Sequence, residues 1–475
     1  MNTKKYISMP ALTLMTFTAV WSFGNVVNGY AAQGLKAIFS WLVIFGLYFV
    51  PYVLMVGEMG AAFKNCTGGV SSWVRQLTGA KIAFLAGWTY WVVHVPYLAQ
   101  KPMTVWISLG WAVFQDGAII KSIDPVYLQS ATLALFLFCC WFSAKGITFI
   151  KYIGSIAGTS MFIMSLLFVL LAIAAPAISD VHTETIAFRW DTFIPALNFD
   201  YLTTIAILVF AVGGCEKLSP YVNNMKNPSQ DFPRAMILLT VMIAITALTG
   251  SYALGLMFDT NNVPKDLMMN GAFYSFMKLG EYYNVGPWLM IIYAVCNALG
   301  LLSTTLLCID APIKIFLADV DKSLLPKALT RINENGVPIN GYKLTAVLVS
   351  IIVIYPVLGI GDVNSLYNSM IRLNAICMPL RYLWVFIAYM ALKKSSSFLV
   401  EPNAYQLTSN RSIGFFIGLW CFIFTAFACI MGMFPSDLAA YSDEWIFQLS
   451  LNIVTPLLLL GLGFIVLAMA KKHKA

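Results

Sequence analysis

Residues 210–222 read FAVGGCEKLSPYV, inside an apolar run that begins near Tyr201 (YLTTIAILVF). Two adjacent glycines, Gly213 and Gly214, are followed at once by Cys215, Glu216 and Lys217, where a membrane helix would carry hydrocarbon. A helix that unwinds there exposes backbone N–H and C=O groups, and these cannot face lipid. They have to line a protein-enclosed cavity. The stretch therefore predicts a membrane helix interrupted where something polar binds.

A second interruption lies in the first apolar run, LTLMTFTAVWSFGNVVNGYAAQG (12–34), at Ser22, Phe23, Gly24 and Asn25. Glycine-interrupted helices at corresponding positions of two halves point to an inverted repeat with a site near the bilayer midplane. The half-helix N-termini created by such breaks favour an anion such as a carboxylate.

The rest of the chain fits a membrane setting. Of 475 residues, 60% are hydrophobic and 11% charged, and the mean hydropathy is +0.78; a soluble domain carries about a quarter charged residues. The expectation is an all-α polytopic membrane protein of about twelve transmembrane helices. Their ranges are roughly 9–31, 37–63, 82–113, 126–144, 150–175, 201–225, 236–258, 286–313, 343–360, 366–391, 413–434 and 447–470, read from the apolar runs. The polar connections are too short for a soluble domain, so residues 1–475 are expected to form a single membrane domain. It comprises repeats at about 9–175 and 201–391 and two extra helices at about 413–470.

Placing both termini in the cytoplasm puts Lys64, Arg75, Lys226, Arg234, Lys393 and Lys471 inside. It leaves Lys36, Lys121, Arg189, Lys265 and Lys278 outside. This satisfies the positive-inside rule, and the opposite orientation inverts it. The net charge of +8 is then this bias and implies membrane lipid rather than nucleic acid as the polyanionic neighbour. The N-terminus, MNTKKYISMP, shows no small-residue cleavage pattern, so no signal peptide is expected. No polar plug is expected beyond AKKHKA (470–475). His94, His182 and His473 are too far apart for a metal site, and no cofactor is expected.

Ionisable residues within spans are costly and are functional candidates. Glu216 is a candidate for a substrate amine or a proton. Asp310 could balance a substrate ammonium, or neutralise Lys101 or Lys314, the latter one helical turn away. Arg372 could hold a carboxylate bidentately or pair with Asp310 or Glu216; Arg381 reads as an anchor nearer the cytoplasm. Glu58 reads as a gate or folding contact with the Gly68-Gly69 loop. His94 and Lys101, seven residues apart, share a face of the third span, and the adjacent Lys217 need not pair with Glu216. The candidate substrate-binding set is Ser22, Phe23, Gly24, Asn25, Phe210, Gly213, Gly214, Cys215, Glu216, Asp310 and Arg372. Glu58, His94, Lys101 and Lys217 are gating or structural charges. Phe23 and Phe210 could stack on an aromatic substrate or close the site as gates.

Several stretches resemble the amino acid–polyamine–organocation superfamily. VGEMGAAFKNCTGGVSSWV (56–74) is similar to its second span and following loop. GGCEKLSPYVNNMKNPSQDFPRAM (213–236) is similar to its unwound sixth span and exit loop. INENGVPINGYKLT (332–345) is similar to the segment before its ninth span. Within the superfamily the chain resembles the glutamate:GABA antiporter family. The likeness to its amino acid/amine exchangers (tyrosine/tyramine, histidine/histamine, agmatine/putrescine) covers HVPYLAQKP (94–102), IDAPIKIFLADVDKSLLPKAL (309–329) and NAICMPLRYLWVFIAYMALKK (374–394).

The resemblance implies a LeuT-like five-plus-five inverted repeat with broken first and sixth helices. It implies secondary active transport across the cytoplasmic membrane. The expected function is exchange of an amino acid for its decarboxylated amine, with a decarboxylase as functional partner. A diamine exchanger of the agmatine/putrescine type and a proton-coupled symporter are the alternatives. The Asp310-Ala311-Pro312 run departs from the pattern of the family's glutamate/GABA exchanger, and within the resemblance this points away from glutamate as substrate. A channel would need rings of pore-lining polar groups, and an intramembrane enzyme a nucleophile–base pair or metal ligands; neither pattern occurs in the sequence.

Overall fold

A computed structural model describes residues 6–145, 147–179, 181–185, 188–326, 328–329, 331–332, 338–354, 363–395, 404–435 and 438–472. His473, Lys327, residues 333–337 of the run before the ninth span and 355–360 of that span lie outside the described residues.

Eleven helices among the described residues are long and apolar enough to cross a membrane. In chain order they are Met9–Gln33, Lys36–Ala62, Ala80–Phe114, Pro125–Ser143, Phe149–Ile178, Phe199–Asn224, Pro228–Met257, Trp288–Leu317, Tyr367–Lys394, Arg411–Gly432 and Asp443–Met469. The apolar helix Ile339–Ile354 stands where the ninth span is expected. The chain is thus an all-α polytopic membrane protein. Its outward faces carry exposed Leu170, Ile351, Phe416 and Phe464, as a surface solvated by acyl chains requires.

Both breaks fall in the expected spans. In the first, helix Met9–Val20 stops, Trp21 and Ser22 are extended, and a second helix runs from Phe23 to Gln33. In the sixth, helix Phe199–Val212 begins on Asn198, whose side chain accepts from the Tyr201 N–H. It ends at Gly213, and Cys215–Asn224 continues as a tighter 3₁₀ helix. Both glycines are required. A Cβ on Gly213 would lie 2.0–2.2 Å from the Tyr382 ring and hydroxyl, and Gly214 has φ +117°, a region L side chains rarely adopt.

The third and eighth spans pack along their length, the second packs on the seventh, and the tenth on the eleventh. The first half of the first span lies against the fifth and seventh. On the side bearing the N-terminus the chain closes over itself. The Ile7 N–H donates to the Asn224 carbonyl at 2.8 Å, and Lys151 Nζ donates to the Tyr6 carbonyl at 2.8 Å.

That side also carries a latch. Asp319, just past the eighth span, accepts from the Gly68 N–H at 2.8 Å, the Thr67 hydroxyl at 2.6 Å and the Ser72 hydroxyl. Burial pushes its carboxyl up, but these hydrogen bonds outweigh burial and hold it below the ordinary value of 3.8. Glu58, expected on this loop, instead accepts from Lys393 Nζ at 2.5 Å, the Tyr389 hydroxyl at 3.0 Å and the Leu407 N–H at 2.9 Å. It joins the second span to the tenth and to the segment after it, because its face of the second span turns toward the tenth.

Candidate substrate-binding site

The two breaks are stitched together by one side chain. Asn25 Nδ2 donates to the Val20 carbonyl, at the end of the first half-helix, and to the Ala211 carbonyl in the sixth span, both at 3.1 Å. An amide whose nitrogen is spent in this way keeps its oxygen as the acceptor. Around this stitch lies a central cavity of 90 Å³. Ser22, Gly24 and Asn25 line it from the first break, Phe210 and Gly213 from the sixth span, and Tyr97, Gln100 and Lys101 from the third. Asn28, Asn297 and Arg381 complete its polar wall. A smaller lobe of 30 Å³ opens beside the first break and shares Ser22, Asn25, Tyr97, Lys101 and Asn297 with the main cavity.

The charges on the cavity wall are all positive: Lys101, Lys217 and Arg381. Lys217 Nζ donates to the Ala19 carbonyl at 3.1 Å, at the negative end of the first half-helix. The Tyr97 ring lies 4.8 Å from Lys101 Nζ and 5.3 Å from Lys217 Nζ. Arg381 is fully buried. Its Nε lies 3.1 Å from Glu216 Oε1, its Nη1 2.5 Å from His94 Nε2, and its Nη2 donates to the Tyr382 hydroxyl at 3.3 Å. A guanidinium only donates, so His94 Nε2 is the acceptor and the ring proton sits on Nδ1. That nitrogen faces the Tyr90 carbonyl at 2.6 Å.

The intramembrane carboxylates face elsewhere and are already engaged. Glu216 accepts from Tyr90 at 2.8 Å and from Tyr52, and with Arg381 it forms a buried pair behind the cavity wall. Asp310 is not paired with Lys101. It binds Lys314 Nζ at 2.7 Å and accepts from Tyr221 and Tyr342, tying the unwound sixth span to the eighth and ninth. The i,i+4 spacing within one helix keeps Lys314 beside it, whereas Lys101 turns into the cavity.

Along the chain, residues 7–459 match the model of the family described as Amino acid permease. The chain belongs to the amino acid permease family. The aspartate/glutamate permease AcaP of Lactococcus lactis subsp. cremoris is 45% identical, covering 100% of this chain and 97% of that protein. A glutamate/gamma-aminobutyrate antiporter of Lactococcus lactis subsp. lactis is 24% identical, over 95% and 88% of the two chains. The solved structure of MhsT in complex with L-phenylalanine superposes with a TM-score of 0.63 at 14% identity, covering 90% of this chain and 98% of that one. It establishes the LeuT-like fold, with its five-plus-five inverted repeat and broken first and sixth helices.

The permease brings only part of the sequence-predicted set together. Ser22, Gly24, Asn25, Phe210, Gly213, Lys101 and Lys217 line the cavity. Phe210 meets Tyr97 edge-on at 6.2 Å. Phe23 points away, into a ring cluster with Phe168, Phe276 and Tyr293. Gly214, Cys215, Glu216, His94 and Asp310 stand behind the wall. Arg372 lines a separate cavity of 240 Å³ with Thr203, Thr204 and Asn452, away from both Asp310 and Glu216.

Arg381, read from sequence as an anchor nearer the cytoplasm, is instead a wall residue. The 3₁₀ turn Met378–Arg381 in the tenth span rotates it there. Gln100 and Asn297 were not singled out from sequence. A usable signal for Gln100 lay in the third span, where His94, Tyr97, Lys101, Thr104 and Ser108 recur at helical spacing and mark a polar face.

Proposed function

We propose that this permease carries acidic amino acids, aspartate and glutamate, across the cytoplasmic membrane. The observation that carries the reading is the cavity wall itself: Lys101, Lys217 and Arg381 line it, and no carboxylate does among the described residues. A substrate with two carboxylates and one ammonium brings a net negative charge to such a wall, which a neutral amino acid or an amine does not. The Asn25 oxygen and the amides of Gln100 and Asn297 are the acceptors within reach of its ammonium. The free N–H groups at the start of helix Phe23–Gln33 favour an α-carboxylate. The name of the 45% identical relative, an aspartate/glutamate permease, supports the same substrate class.

Exchange for a plain mono-amine draws no support from this site, since an ammonium without a carboxylate would face Lys101 and Lys217, with no carboxylate on the wall to meet it among the described residues. Exchange for a decarboxylated product that keeps one carboxylate remains compatible, and the antiporter relative favours that as a second reading. The positive-inside pattern supports placing both termini in the cytoplasm. The whole chain acts as one transport domain, the last two spans adding to the two repeats.

Uptake of radiolabelled aspartate into proteoliposomes containing the purified permease tests the reading. Unlabelled glutamate should compete, whereas asparagine, tyramine and agmatine should not. Preloaded γ-aminobutyrate that accelerates uptake would identify exchange. Saturable uptake of an amine, with no aspartate uptake, would overturn the proposal.

A further inference from the structure

We propose that Lys101 reads the side-chain carboxylate of the substrate and so sets the preference for acidic over neutral amino acids. This rests on the acidic reading of the cavity given above and assigns one role within it.

The three cations of the wall differ in what the protein supplies to each. Arg381 has a countercharge in Glu216 and further partners in His94 and Tyr382. Lys217 has the Ala19 carbonyl. Lys101 has the face of the Tyr97 ring at 4.8 Å and the Cys308 thiol near it, and no carboxylate among the described residues makes an ion pair with it. The acid that could have neutralised it, Asp310, is spent on Lys314, Tyr221 and Tyr342. A cation in the membrane interior without a countercharge is costly, and such residues mark substrate pathways. Lys101 thus holds a charge that the fold leaves for a ligand to complete.

Position supports the same role. Lys101 lies on the third span, which packs along the eighth, and not on either of the broken first and sixth helices. It is the charged residue that lines both the main cavity and the 30 Å³ lobe. That lobe is walled by the polar side chains of Thr18, Ser22, Asn25, Asn297 and Thr304. It is too small for a ring and suits a compact polar group. A substrate held by its α-carboxylate and ammonium at the breaks would place a short acidic side chain in this lobe, against Lys101 Nζ.

The test is binding of aspartate, glutamate, asparagine and glutamine by calorimetry to the purified full chain, wild type and Lys101→Met. Aspartate affinity should fall at least about tenfold in the variant while asparagine affinity holds or rises, so the acid-to-amide ratio collapses. Lys101→Arg should keep the acid preference. Because no partner is orphaned, Lys101→Met should melt no lower than the wild type; a marked drop would identify a structural charge and overturn the role. Should the Met variant not be obtained folded, that outcome counts against the proposal, and Lys101→Gln provides the same ratio. An unchanged acid-to-amide ratio in a folded neutral variant sinks the assignment of Lys101 alone. A wild type that binds no dicarboxylate sinks the acidic reading of the cavity itself.

Discussion

Replacing Glu216 by glutamine removes the countercharge of Arg381 while barely changing volume. Both side chains are fully buried, so solvent does not screen the pair. Breaking a buried pair from one side costs roughly 3–5 kcal/mol, because the remaining charge is left uncompensated. Glutamine keeps one oxygen to accept from Tyr52 or Tyr90, and the other hydroxyl can turn to accept from its amide. The lower end, about 3 kcal/mol, is therefore expected, which at 1.4 kcal/mol per decade is about two powers of ten in the folded-to-unfolded ratio. Steric trapping in bicelles measures this directly, and melting in detergent gives its direction. Adding Arg381→Met to Glu216→Gln removes the orphaned charge and should restore part of the loss. Transport by the single variant should fall at least tenfold, since the unwound segment that bears Glu216 also presents Lys217 to the cavity. A Glu216→Gln protein within about 1 kcal/mol of wild type, below the usual cost of a broken buried pair, would refute the reasoning. So would a double variant less stable than either single one.

Three further outcomes are expected. Asp310→Asn should be rescued in stability by Lys314→Met and not by Lys101→Met, as double-variant melting would reveal; rescue by Lys101 would contradict the pairing. Asp319 is held below its ordinary value in the fold, so its stabilisation is present above that value and is lost as pH falls through the lower folded one. The melting gap between wild type and Asp319→Asn should stay constant from about pH 5 to pH 8 and close below about pH 4; a gap that widens on acidification would contradict this. Gly213→Ala places a methyl against the Tyr382 ring and should cost roughly 1–3 kcal/mol and most uptake, with Tyr382→Ala in the same chain relieving the clash.

The fold was legible because glycine and hydrocarbon carry local signals. Gly213 and Gly214, followed by Glu216 and Lys217, announce a break from local sequence alone, and the apolar runs mark where spans begin and end. The first break was placed within a residue or two, but the direction of Phe23 was not, since a helix restarting at that position turns the ring away from the cavity. The pairing of buried charges was the least legible. Whether Asp310 meets Lys101 or Lys314, and whether Arg372 or Arg381 reaches the cavity, depends on the rotation of spans far apart in sequence. The i,i+4 neighbour was the one partner spacing could offer. The single-glycine break at Ser22-Phe23-Gly24-Asn25 is a weak anion cradle alone, and the positive wall that supplements it emerges only when the third, sixth and tenth spans come together.

The most direct test of the acidic cavity is a structure of the full chain determined with aspartate bound. The account predicts the ligand between the two breaks. Its side-chain carboxylate should lie within hydrogen-bond reach of Lys101 Nζ, and its α-carboxylate at the start of helix Phe23–Gln33. A ligand seated instead beside Arg372 in the separate cavity, or one whose ammonium rather than carboxylate faces Lys101, would contradict it.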